Sequence, residues 1–303
     1  MRIPDTIPKP VLEVALALLL AGAAGLGFYQ LNRPLPAADA LITTSIADGV
    51  VVLDARGSLS YRRGHIPGAE QLWSRNLLSF TGEVAGALAR PEALAEKLRA
   101  LGLTPASRVV VYDDGDGQNA PLVLLVLHAF GLDAKLLLGG LEAWRAQGGE
   151  PVRESPPKPT PSRAEFHFDD RLVVNAEEAR EHLAENAIAP VDTREPGAYR
   201  AQHIAKAVNL SADTLLPDGQ LPRWSVLHNQ LQRARITMDI HPFIYGSDIS
   251  EAARAWLALR AYGIPHMHIY RAPYQGLVQA GLPVSHTESI RATSTPSSSV
   301  CWQ

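Results

Sequence analysis

Two kinds of apolar pattern alternate along the chain. Val50-Val51-Val52-Leu53, Arg108-Val109-Val110-Val111-Tyr112 and Ile244-Tyr245 are short, unbroken β-branched and apolar runs, as expected of strands buried on both faces. Between them lie stretches with helical spacing: Ala37–Ala47, Pro91–Leu101, Pro121–Phe130 and Ala252–Tyr262. Pro91 falls in a first turn, where its missing N–H costs little, and Gly131 closes the third stretch. A further short strand is predicted over Lys135–Leu138. Strands alternating with helices in this way predict an α/β fold, with central parallel sheets flanked by helices.

The pattern occurs twice. Val191-Asp192-Thr193-Arg194 repeats Leu53-Asp54-Ala55-Arg56. Tyr61 and Tyr199 follow the two arginines at the same distance, and His65-Ile66 and His203-Ile204 follow the tyrosines at the same distance. Ile244-Tyr245 repeats Val111-Tyr112, and Gly131 and Gly263 close the helices beyond. Such self-similarity predicts two copies of one domain. Their expected limits are residues 36–150 and 166–284, joined by a linker at 151–165 that opens with five prolines in eleven residues. A Ser- and Thr-rich tail at 285–303 is predicted to be disordered.

Ahead of both copies, residues 1–30 carry Arg2 and Lys9 and then an apolar run from Val11 to Phe28, broken by Glu13 alone. That length suffices to span a bilayer. A signal-anchor is favoured over a cleavable signal, for which Ala21-Gly22-Ala23 would supply the small-residue site, and over a buried core helix. Either of the first two readings puts the bulk of the chain outside the cytoplasm, in a periplasm or its equivalent, attached in the anchored case through the N-terminal helix.

Composition narrows the chemistry. The net charge of −3, with no run of Lys or Arg, gives no case for nucleic acid. One cysteine, Cys301, excludes an internal disulfide and any multi-cysteine metal site. No cofactor is implied. Asp113, Asp114 and Asp116 lie close together but lack the terminal Glu of a calcium loop, so solvated loop acids are expected. His65 and His203 have no second ligand at metal spacing and are expected to be structural, and His266 and His268 to lie at the surface. Arg56 is expected to pair with an acid or with loop carbonyls, whereas Arg194 remains open to an anionic ligand.

The stretch Gly246-Ser247-Asp248-Ile249-Ser250-Glu251, between a strand and a helix, is where chemistry is expected. Such loops aim backbone N–H groups and a helix dipole at one point. Here the loop holds no cysteine, lysine or arginine and carries two acids. Asp248 to Glu251 has the form of an N-cap followed by a capping box.

Taken together, Asp-x-Arg, Tyr, Gly64-His65-Ile66-Pro67-Gly68-Ala69, the Val-Val-Val-Tyr strand and Gly139-Gly140-Leu141-Glu142-Ala143-Trp144 resemble the rhodanese domain. Two in tandem resemble the thiosulfate and 3-mercaptopyruvate sulfurtransferases. The resemblance implies an inactive first domain and, in the second, a cysteine directly after the strand tyrosine, whose thiolate takes the sulfur. In this chain that position is Gly246, so the resemblance implies a binding or regulatory module, with a protein partner or a small anionic sulfur compound. The alternative is an active sulfurtransferase moving sulfane sulfur from thiosulfate or 3-mercaptopyruvate to a thiol. Cys301 is expected to be an exposed tail thiol.

Overall fold

A computed structural model describes residues 33–81, 84–184 and 188–287. The N-terminal apolar run and Cys301 lie outside the described residues, as does all but the start of the predicted tail. Among the described residues no helix is long and apolar enough to cross a membrane.

The first half builds a five-stranded parallel sheet from β1 (Ile42–Thr43), β2 (Val51–Asp54), β3 (Glu70–Gln71), β4 (Arg108–Tyr112) and β5 (Asp133–Leu137), in the order β1-β5-β4-β2-β3. The second half builds another from β6 (Val173–Val174), β7 (Ile188–Asp192), β8 (Val208–Asn209), β9 (His241–Tyr245) and β10 (His268–Tyr270), in the order β6-β10-β9-β7-β8. Strand for strand the two orders are the same. The central strands β4 and β9 are those read from unbroken apolar runs, and all but the first residue of each is buried. A strand flanked by neighbours on both edges and helices on both faces has no solvated side, which is why its sequence does not alternate.

Ala37–Ala47 does not form the expected helix. It makes one 3-10 turn, Ala38–Ala40, and then β1, which pairs with β5. The β-branched Ile42, Thr43 and Thr44 favour extended backbone once a sheet edge is available, and pairing overrides the helical spacing of the apolar residues.

Two long helices follow the central strands: α1 (Ala120–Ala129) and α2 (Ile249–Tyr262). Within α1 every residue except His128 is buried. Its apolar surface meets its own sheet on one side and α2 on the other, where the His128 and Trp256 rings touch edge to face at 5.4 Å. One apolar cluster therefore runs through both halves. A buried leucine contributes about 2 kcal/mol, so the run Leu122-Val123-Leu124-Leu125 ties the domains together as well as filling the first.

Backbone contacts complete the join. Ala37 donates to the Ala261 carbonyl at 3.0 Å, and Leu88 donates to that of Arg271 at 2.7 Å. The Arg271 guanidinium donates back to the carbonyls of Leu88 and Ala89. Gly117 and Gly219, both at positive φ, lie against each other across the interface, and a Cβ on Gly219 would lie 2.4 Å from the Asp116 carbonyl carbon. The proline-rich linker lies on the first domain, through Val152 paired with His65 and Ser162 bonded to Arg99 and Leu103. Val284–Ser285 pairs with His203–Ile204, so ordered pairing extends one residue into the segment read as tail.

Candidate active site

The repeat fixes which residues correspond. The hydroxyls of Tyr112 and Tyr245, at the ends of β4 and β9, accept the N–H of Ile66 at 3.1 Å and of Ile204 at 3.0 Å. The next residues, Asp113 and Gly246, accept with their carbonyls the N–H of Leu141 at 2.9 Å and of Tyr274 at 3.0 Å. Asp113 and Gly246 thus hold one structural position in two domains. It is the position at which the loop turns from strand to helix.

In the first domain Asp113 fills its own loop. Its carboxylate accepts the N–H groups of Gly115 (2.9 Å), Asn119 (3.1 Å) and Ala120 (2.9 Å), and so caps α1. Burial pushes its pKa up, and these amides oppose the rise. Asp114 pairs with Arg56 at 2.9 Å, and Asp116 accepts the Gln118 N–H. Solvated loop acids were expected here; Asp113 is instead 2% exposed because the helix N-terminus needs an acceptor.

The second loop is filled from the helix side. Asp248 is the N-cap of α2 and accepts the N–H groups of Ser250 (2.8 Å) and Glu251 (3.1 Å). Glu251 departs from the expected capping box. Its carboxylate passes the N-cap amide and accepts the Ser247 N–H at 2.7 Å. This brings it over Gly246, where a Cβ would lie 2.8 Å from both the Cβ and Oε2 of Glu251 and 2.7 Å from the Thr193 hydroxyl. Burial raises the Glu251 pKa, opposed chiefly by the Ser247 amide. Ile249 is buried in the core, while Ser247 and Asp248 face solvent.

Arg56 and Arg194 are built alike. Each grips the aspartate two residues earlier through Nε and NH2, with the shortest contact at 2.6 Å for both Asp54 and Asp192. Each also donates to a loop carbonyl, Gly64 or Gln202. They differ at the remaining nitrogen: Arg56 NH1 takes Asp114, whereas Ser247 stands at the corresponding position in the second domain. Arg194 lies instead under the Tyr274 ring, with Cζ 3.7 Å from its centroid. Burial opposes the charge of both guanidiniums, and the aspartates hold it.

His65 and His203 stack on Tyr61 and Tyr199 and place Nδ1 against the carbonyls of those tyrosines. Their role is to hold the repeat's turn. Three neighbours of the loop were not singled out from the sequence: Thr193, Tyr274 and Arg254. Arg254, one helical turn past Glu251, is buried and pairs with Asp213. Its three-residue spacing from Glu251 was the available signal. Tyr274 was visible only through the loss of the closing Gly-Gly-Leu motif: Ala272 and Pro273 replace Gly139 and Gly140, both of which have positive φ, and Tyr274 takes the place of Leu141.

The duplicated domain is shared with known proteins. The rhodanese-like domain family matches residues 37–147 and 175–280. The 3-mercaptopyruvate sulfurtransferase of Escherichia coli K12 is 28% identical over 248 residues, covering 76% of this chain and 86% of that protein. The human 3-mercaptopyruvate sulfurtransferase is 28% identical over 234 residues, covering 72% and 77%. The crystal structure of SseA from Escherichia coli, described as a 3-mercaptopyruvate sulfotransferase with the rhodanese fold, superposes with a TM-score of 0.66 at 24% identity, over 75% of this chain and 93% of that one. That structural likeness establishes the fold. The chain belongs to the rhodanese-like family as a tandem, two-domain member related to the 3-mercaptopyruvate and thiosulfate sulfurtransferases.

Proposed function

We propose that this protein is a membrane-anchored tandem rhodanese-like module that forms no persulfide at its second-domain loop and acts by binding. One observation carries the reading. The residue after the strand tyrosine is Gly246, and the loop amide beside it is taken by Glu251. Persulfide chemistry needs a thiolate whose sulfur attacks the donor and then carries the transferred sulfur. Glycine supplies no atom for either step. The amides that would stabilise an incoming sulfur anion donate to Asp248 and Glu251 instead. Arg194, with a guanidinium nitrogen left over from Asp192 and the Tyr274 ring above it, is the residue suited to hold a small anionic sulfur compound or an acidic group of a protein partner.

The anchor is residues 1–30, which would place both domains on the extracytoplasmic side. Protease added to sealed spheroplasts, whose outer barrier has been removed, should then digest both domains. Protection until lysis would contradict that placement.

The catalytic part is tested by intact mass after incubation with thiosulfate or 3-mercaptopyruvate. No gain of a sulfur atom is expected in the Cys301→Ser variant. The sulfurtransferase relatives favour the second reading, an active enzyme passing sulfur to a thiol. A sulfur adduct in that variant would establish it.

A further inference from the structure

At the end of the second sheet opposite Gly246, a cleft of about 500 Å³ opens between the two domains. His241, the first residue of β9, lies at one edge, and Arg260, in the last turn of α2, at another. His266 joins them, with its ring 5.2 Å from that of His241. Trp256, Leu172 and Met267 supply apolar wall. Gly246 lies at the other end of both β9 and α2, so this cleft is separate from the loop described above.

The polar groups here are unevenly committed. His128 and His268 place a ring nitrogen against the carbonyls of Ala134 and Arg171. Arg171 pairs at 3.6 Å with Asp169, the one carboxylate lining the cleft among the described residues. Arg260, His241 and His266 have no side-chain hydrogen bond or ion pair among the described residues. Three donors or cations thus face one cavity whose one acid already has a partner. Among the described residues no three His, Cys, Asp or Glu side chains are placed to share a metal ion. The set therefore suits an anion, with the guanidinium as a fork for a carboxylate or phosphate and the imidazoles as flanking donors. The volume and the apolar wall leave room for an organic body beside the charged group.

We propose that this interdomain cleft binds a small organic oxyanion, a carboxylate or phosphate ester, through Arg260, His241 and His266. The ligand bridges α2 and the start of the second sheet on the side away from the Gly246 loop. Because the site exists only in the folded protein, binding would also raise the unfolding temperature by mass action.

The test is isothermal titration of the full chain with phenyl phosphate, and with phenol as the uncharged control, at constant ionic strength. Saturable binding of phenyl phosphate is expected, with none for phenol. Arg260→Met keeps the apolar stem and removes the charge; it should raise Kd about tenfold or more, as should His241→Asn with His266→Asn. The exposed Arg233→Met should leave Kd unchanged. No saturable heat in the parent would overturn the proposal. So would unchanged affinity in folded Arg260→Met or, should that variant not fold, in the double histidine variant.

Discussion

Glu251 decides what fits at Gly246. Its carboxylate folds back to the Ser247 N–H at 2.7 Å, and a Cβ on Gly246 would lie 2.8 Å from the Glu251 Cβ. The two residues are therefore coupled, and a cysteine at Gly246 has to displace the Glu251 side chain.

Gly246→Cys alone is expected to cost about 1–3 kcal/mol through overpacking. In a double-mutant cycle with Glu251→Gly, a favourable coupling of about 1 kcal/mol or more should appear, because the second change removes two of the three colliding atoms and leaves only the Thr193 hydroxyl to turn aside. Urea unfolding of the four proteins measures it. Additive effects would mean that the loop relaxes without involving Glu251.

Glu251 also gives a pH signature. Burial raises its folded pKa above the unfolded value of about 4.3. The buried carboxyl therefore adds stability below the unfolded value, and this is lost as pH rises through the folded one. Glu251→Gln cannot ionise. Its melting temperature should gain on that of the parent from pH 4 to pH 7, and an offset constant across that range would contradict the sign.

The buried Asp192–Arg194 pair is expected to be structural whatever else Arg194 holds. Arg194→Met leaves an uncompensated buried carboxylate and should cost about 3–5 kcal/mol. Replacing both, Asp192→Leu with Arg194→Met, should cost less than the single change. The same order is expected for Asp54 and Arg56. Chemical denaturation gives the ranking.

Gly219→Ala tests the domain junction. The new methyl would meet the Asp116 backbone at 2.4 Å, at a φ of +71° that disfavours a side chain. A loss of about 2 kcal/mol or more is expected, together with faster proteolysis between the domains. Gly197→Ala, in the short helix Pro196–Ala201 with nothing within 4 Å, should be neutral or slightly stabilising.

The duplicated architecture was legible because its signals are local. Unbroken apolar runs marked β4 and β9, and identical spacing from Arg to Tyr to His-Ile marked the repeat. The Ala37–Ala47 segment was misread because β1 owes its conformation to β5, which lies about ninety residues away in sequence. At the loop, the missing cysteine and the surplus of acids could be read directly. The direction each acid takes could not. Asp113 and Glu251 both end on amides of their own loops, yet they approach from opposite sides, one from the strand and one from the helix. Tyr274 over Arg194, and Gly117 against Gly219, are contacts made only when the chain closes, and no spacing foretells them.

The central claim is that Gly246 and Glu251 together leave the second loop without sulfur-transfer chemistry. Steady-state turnover of the full chain, with thiosulfate and cyanide and then with 3-mercaptopyruvate and a thiol, tests it most directly when the Cys301→Ser variant is run in parallel. The account predicts rates no higher than the uncatalysed background for both proteins. Catalytic turnover that survives in Cys301→Ser would contradict it.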